Sequence, residues 1–231
     1  MAYNASGGPS ATRGPLPPFC PSPMHELYFE NVRQRLRATL PGESAQLKMA
    51  AAGRTRLGPH PTPNAATRTG AVLVLFYPHG GLIHVPMIRR PVYAGVHSGQ
   101  VAFPGGRVDE TDESLVATAL REAHEEVGVK PAEVEVLGLL TPLFVHASNF
   151  MVHPVVGAAR SRPDFKPDPY EVDALLEVPL TELQDVTRIG SKEIIVREGV
   201  AIRAPFYDLQ GHTVWGATAM MISELLEVLG S

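Results

Sequence analysis

The segment from Phe103 to Val129 constrains the fold more than any other part of this chain. It opens with Phe103-Pro104-Gly105-Gly106, leaves six residues, and resumes at Glu113 before reaching Arg121-Glu122-Ala123-His124-Glu125-Glu126-Val127-Gly128-Val129. At about 100° per residue, a helix from Glu113 to Val127 puts Val116, Leu120, Ala123 and Val127 on one stripe and Glu122, Glu125 and Glu126 on the opposite face. Gly128 stops that helix. One side is built to pack on another layer of structure, and the other presents carboxylates.

Carboxylates related as i, i+3 and i+4 repel one another, so they are either fully solvated or neutralised by a cation. Hard carboxylate oxygens suit Mg²⁺ or Mn²⁺, and Mg²⁺ bound through one or two carboxylates bridges readily to substrate phosphates. Gly105 and Gly106 allow the loop to turn tightly and bring a backbone carbonyl or N–H close to metal and phosphate. Arg121 can grip Glu113 with its planar guanidinium and hold the loop on the helix. A Glu-rich helix by itself is more often a solvated surface, and it is the conjunction with the Gly-Gly loop at this separation that points to phosphate chemistry.

That conjunction resembles the Nudix box, whose Gly, Glu and Arg-Glu-apolar-x-Glu-Glu-x-Gly-apolar spacing is highly specific. The box usually has five residues between its glycine and first glutamate; here Gly106 and Glu113 are separated by six, and Asp112 occupies the five-residue position. Upstream, Arg89-Arg90 followed by Gly95-Val96-His97-Ser98-Gly99-Gln100-Val101-Ala102-Phe103-Pro104-Gly105-Gly106 resembles the motif of coenzyme A diphosphatases, with Gly95 where that motif usually has arginine and Pro91 where it has serine or alanine. Leu40-Pro41-Gly42, Ala147-Ser148-Asn149-Phe150, Pro154-Val155-Val156-Gly157, Glu171-Val172 and Val178-Pro179-Leu180 extend the similarity over about residues 25 to 229.

The resemblance implies an α/β/α sandwich with a mixed β-sheet between helices and metal-assisted attack of water on a diphosphate. Expected metal-site residues are Glu122, Glu126, Glu125 and Gly106; Glu125, Glu126, Arg121 and Glu113 are the expected catalytic set. The general base is expected among Glu125, Glu171, Asp164 and Asp168. Arg89, Arg90, His97, Ser98 and Gly105 are expected to touch substrate. Coenzyme A or acyl-coenzyme A is the preferred substrate, giving 3′,5′-ADP and (acyl-)4′-phosphopantetheine. ADP-ribose, NADH or another nucleotide-linked compound is the alternative, as is a catalytically silent nucleotide-binding module.

The rest of the chain is legible in outline. Residues 1–23 are rich in Pro, Gly, Ser and Ala and read as a disordered tail, with one domain over residues 24–231. Helices are expected over His25–Leu40 and Met220–Leu229. Strands are expected over Ala71–Tyr77, Leu82–Ile88, Val134–Leu140, Phe150–Ala158, Leu175–Val178, Glu193–Val196 and Val200–Arg203, the first two forming a hairpin, and Val96–Phe103 reads as a short strand or an extended loop. Residues 49–70 read as a surface connection.

With 44% apolar and 19% charged residues the composition is that of a globular domain. A formal charge of −4 argues against general attraction to nucleic acid, and Arg33, Arg35, Arg37, Lys48, Arg54 and Arg56 read as a solvated face. Cys20 is the single cysteine, which precludes an internal disulfide and fits a cytoplasmic setting. The longest apolar run falls far short of the roughly 20 residues that cross a bilayer, so no membrane association is expected. The expected partner is a small nucleotide substrate, and a homodimer is an open possibility.

Overall fold

The structure, a computed structural model, describes residues 23–51, 62–92, 97–197 and 200–230. Residues 1–22 of the expected N-terminal tail, the strand start at Val96 and Gly95 therefore lie outside the described residues, as does the pair Arg54 and Arg56.

The chain opens with helix α1 (Pro23–Arg37) and the short α2 (Glu43–Gln46). Strand β1 (Arg68–His79) starts three residues before the apolar run and turns through Gly80-Gly81 into β2 (Leu82–Arg89), pairing Tyr77 with His84. Two short strands, β3 (Val101–Ala102) and β4 (Gly105–Arg107), precede α3 (Leu115–Val127). Next come β5 (Val134–Leu139), β6 (Leu143–Val145), β7 (Phe150–Ala159), β8 (Ala174–Pro179) and α4 (Leu180–Leu183). Strands β9 (Ile189–Arg197), β10 (Val200–Leu209) and β11 (His212–Trp215) form a separate antiparallel sheet before α5 (Gly216–Leu229).

The main sheet is mixed. Strand β1 pairs in parallel with β7, from Arg68 opposite Phe150 to Phe76 opposite Ala158, whereas β2, β4, β5, β6 and β8 add antiparallel. Because side chains alternate along a strand, β1 feeds two cores. Ala71, Leu73, Leu75 and Tyr77 pack towards Ala119, Ala123 and Val127 of α3. Val74 and Phe76 pack towards Phe29 and Val32 of α1 and Met220, Met221 and Leu225 of α5. Full burial of such side chains contributes roughly 1.5–3 kcal/mol each, which is why the central strand is apolar on both faces. The resulting α/β/α sandwich agrees with the expected fold class.

Helix α3 begins where Ser114 accepts a hydrogen bond from the Ala117 N–H (3.1 Å) and ends at Gly128. Its packed stripe is centred on Ala119 rather than Leu120, since small residues let the helix sit close over β1 and β4 while Leu115, Val116 and Leu120 cover the margins. On the other face, Glu224 of α5 is wholly buried. It accepts hydrogen bonds from Gln46 Nε2 (2.9 Å) and the Thr141 N–H (3.1 Å), pinning α2 and the β5–β6 connection to α5.

The expected strands at Glu193–Val196 and Val200–Arg203 are parts of longer ones, the second forming the start of β10, and β11 is a further strand outside the expected set. Arg33 of the basic early region pairs with Glu30 and Glu135, which makes it part of the α1–β5 contact.

Candidate active site

The hairpin-like entry of β4 puts Gly105 opposite Val72 and Gly106 opposite Ala71. Gly105 has φ +154°, and a Cβ there would stand 2.4 Å from the Ala71 carbonyl oxygen, so the loop can lie on β1 only without a side chain. Gly106 is required for a different reason. Its absent Cβ would come within 2.4 Å of Glu122 Oε2, which means that the glycine backbone rests against a carboxylate of α3.

The three glutamates of α3 occupy distinct environments. Glu126, expected on the open face, is 2% exposed and accepts a hydrogen bond from the Gly105 N–H (2.8 Å). Arg90 closes this corner, with Nη2 donating to the Gly105 carbonyl oxygen (3.0 Å) and lying 3.6 Å from Glu126 Oε1. Burial pushes the Glu126 carboxyl up to about 7 against the counter-effects of Arg90 and the Gly105 N–H, and the negative charges of Glu122 and Glu171 push the same way. Glu122 is 16% exposed, and its carboxyl is raised, again chiefly by burial. Glu125 is 53% exposed, so the triplet runs from buried to open along a single helical turn.

Arg121 corrects one expectation. Its guanidinium does not hold Glu113, which is exposed, but grips Asp112 through Nε (2.9 Å) and Nη2 (2.9 Å), while also donating to the Arg107 carbonyl (3.1 Å), Glu122 (3.0 Å) and Glu125 (2.9 Å). Thr118 Oγ1 and the Asp109 N–H donate to the same Asp112 carboxylate. Asp112 thus takes the position that the five-residue spacing assigns to the first acidic residue, and the extra residue falls after it, next to the Ser114 cap. Its carboxyl is held well below the usual range, foremost by Arg121.

Arg89 points elsewhere: it forms a surface ion pair with Asp173 and is not among the residues lining the cavity beside the loop. That cavity, of about 670 Å³, is bounded by Arg90, His97, Gly105 and Gly106, by Arg68, Gly70 and Val72 of β1, by Val145–Phe150 and Val152, and by Ala217 and Met221 of α5. His97 sits at φ +71° with Nδ1 3.0 Å from Gln100 Oε1. Ser98 is outside the lining.

Of the four candidate bases, Glu171 is near enough to raise both Glu122 and Glu126. Asp164 is paired with Lys166 (3.0 Å), and Asp168 caps its own turn by accepting from the Tyr170 N–H (2.7 Å). The wall from Arg68 to Gly70 and from His146 to Asn149 was not expected as a site. Its sequence signal was the Ala147-Ser148-Asn149-Phe150 run, which carries no chemistry until β1 and β7 are paired.

No group of three or more His, Cys, Asp or Glu side chains among the described residues converges into a ready cation site. The donors nevertheless suit a hard divalent ion. Glu122 and Glu126 face each other's charge, and one or two carboxylates are what Mg²⁺ takes from a protein when substrate phosphates supply further oxygens.

Residues 66–197 match the NUDIX domain family. A Pectobacterium atrosepticum protein described as the uncharacterized Nudix hydrolase NudL is 41% identical over 172 residues, which is 74% of this chain and 87% of that protein. A Salmonella paratyphi B protein of the same description is 37% identical over 171 residues, 74% and 86% of the two chains. Among solved structures, the M. smegmatis Nudix hydrolase RenU matches 71% of this chain and 86% of its own with 19% identity and a TM-score of 0.49. The chain belongs to the Nudix hydrolases, enzymes that act on phosphorus anhydrides. Such hydrolases generally use divalent metal ions such as Mg²⁺ and act on nucleotide-linked small molecules. No helix among the described residues is long and apolar enough to cross a membrane.

Proposed function

We propose that this hydrolase cleaves the diphosphate of coenzyme A or acyl-coenzyme A, releasing 3′,5′-ADP and (acyl-)4′-phosphopantetheine. The observation that carries the reading is the corner where Glu126, the Gly105 N–H and Arg90 meet at the edge of the basic cavity, built from the Gly99-x-x-x-Phe103-Pro104-Gly105-Gly106 run that resembles the coenzyme A diphosphatase motif.

Glu122 and Glu126 would hold the metal, with exposed Glu125 able to join them. When bound, a divalent ion offsets charge on the phosphate oxygens and makes water a better nucleophile. The chain's own groups do the rest. Arg90 sits where it can donate to a phosphate oxygen as it now does to Gly105, and the glycine pair lets the loop lie on β1 and against the Glu122 carboxylate. Glu171, whose charge reaches both Glu122 and Glu126, takes the proton as water oxygen bonds to phosphorus and the bridging P–O bond breaks. Arg121, held by Asp112, positions Glu122 and Glu125.

The test is incubation of the protein and of Glu126→Gln with Mg²⁺ and coenzyme A, acyl-coenzyme A, ADP-ribose and NADH, with products identified by mass spectrometry. The two expected products must appear from coenzyme A and vanish in the variant. Cleavage of ADP-ribose or NADH alone overturns the substrate assignment.

A further inference from the structure

The cavity beside Gly105-Gly106 is lined by arginines and histidines. Arg68, Arg90, His97 and His146 contribute to its lining, and no Asp or Glu among the described residues does. Arg90 serves the glycine corner. Arg68 stands apart from it: Gly105 pairs with Val72, four residues further along β1, so the two backbone positions are roughly 13 Å apart at strand spacing.

Arg68 is exposed yet held. Its Nη2 donates to the Ser148 carbonyl oxygen (2.7 Å), and its guanidinium lies 4.8 Å from the Phe150 ring centroid. Both partners are neutral and no acidic partner of Arg68 occurs among the described residues, so there the positive charge is oriented without being offset, with further guanidinium N–H donors for a ligand.

The frame beneath it is tied down. Asn149, at φ +50°, donates from Nδ2 to the Ala66 carbonyl (3.1 Å) and accepts from Thr67 Oγ1 (3.0 Å), while the Arg68 N–H donates to the Asn149 carbonyl (3.0 Å). A Cβ on Gly70 would strike the Gly106 carbonyl oxygen at 2.3 Å and Phe150 at 2.6 Å, so this wall and the catalytic loop are in direct steric register. An oriented cation at a fixed offset from a diphosphate corner is suited to a second anionic group on the same ligand.

We propose that Arg68 is a specificity residue that recognises an additional phosphate on the ribose of the substrate, one sugar away from the scissile diphosphate. This deepens the assignment to coenzyme A, on which it rests for the choice of a 3′-phosphate. A 2′-phosphate offers the same chemistry from another source.

The experiment measures kcat/KM with Mg²⁺ for two pairs, coenzyme A against dephospho-coenzyme A and NADPH against NADH, in the wild type, Arg68→Gln and Arg68→Lys. Binding of 3′,5′-ADP against 5′-AMP is measured by calorimetry on the same proteins, and melting curves check folding. A hydrogen-bonded charge pair is expected to make the wild-type preference for the phosphorylated member about tenfold or more. Arg68→Gln should remove most of that ratio, and Arg68→Lys should restore part of it.

If coenzyme A is cut but the ratio is the same in Arg68→Gln, the role of Arg68 is overturned while the substrate assignment stands. Should coenzyme A not be cut while an Arg68-dependent preference appears in the NADPH pair or in 3′,5′-ADP binding, the assignment falls and the phosphate-reading role survives. Absence of any Arg68-dependent preference in both turnover and binding overturns the proposal.

Discussion

Replacing Asp112 by Asn, with Glu113→Gln as the comparison, tests which acidic residue anchors Arg121. The Asp112 side chain is 4% exposed and accepts two hydrogen bonds from Arg121, one from Thr118 and one from the Asp109 backbone. An Asn of the same shape loses the charge and turns a donor towards a donor. Hydrogen bonds to charged groups contribute about 1.5–3 kcal/mol each, and breaking a well-buried ion pair costs roughly 3–5 kcal/mol. Arg121 retains Glu122 and Glu125 and is 28% exposed, so the lower end applies. We expect a loss of about 2–3 kcal/mol, a fall in Tm of roughly 5–10 °C for a chain of this size. Glu113→Gln should change stability by no more than about 0.5 kcal/mol. The sign with pH follows from the depressed Asp112 carboxyl. Its contribution is complete above the ordinary carboxylate pKa of about 3.9 and is lost as pH falls through the lower folded value, so wild type and variant converge in acid. Urea titrations at pH 7 and pH 3 measure both. A Glu113→Gln loss equal to or larger than that of Asp112→Asn would refute the reasoning.

Gly106→Ala should lower kcat by about a hundredfold with little change in Tm, because the new methyl displaces the Glu122 carboxylate by about an ångström while the backbone stays in an ordinary conformation; a parallel collapse of Tm and activity would point to misfolding instead. Glu126 has a folded pKa of about 7, above its ordinary value, so without metal the folded state binds more protons than the unfolded state in that window, and stability falls by up to roughly 3 kcal/mol as pH rises from 4.5 to 7. Denaturation in EDTA should show that slope, Glu126→Gln should flatten it, and stabilisation by Mg²⁺ should grow with pH. Glu171→Gln should reduce kcat by about 10²–10⁴-fold if it is the base, with KM and Mn²⁺ affinity moving far less; a variant that loses metal affinity in proportion to rate would mark Glu171 as a ligand.

The carboxylate helix and its glycine loop were legible in the sequence because they rest on local geometry: three glutamates within one turn, a stopping glycine and a loop short enough to fold back. The central β1–β2 hairpin was legible for the same reason, its apolar run being bounded by Gly80-Gly81. Local spacing could not decide between Asp112 and Glu113, since both can reach Arg121 from a flexible loop. The choice came from Thr118 and the Asp109 backbone completing the partners of only one carboxylate. Nor could it separate Arg89 from Arg90, adjacent residues that a strand points to opposite faces, one to Asp173 and the other to Glu126.

By itself, then, the sequence determined a carboxylate-helix scaffold and a reaction class, which depend on contacts within some thirty residues. Tertiary structure decided which glutamate is buried, which arginine faces the cavity and that Arg68 stands beside Phe150, a pair 82 residues apart that meet only because β1 and β7 run parallel. The physical reason is that burial and electrostatic environment are set by what packs on a residue from elsewhere in the chain, whereas helical spacing is set by the chain's own turn.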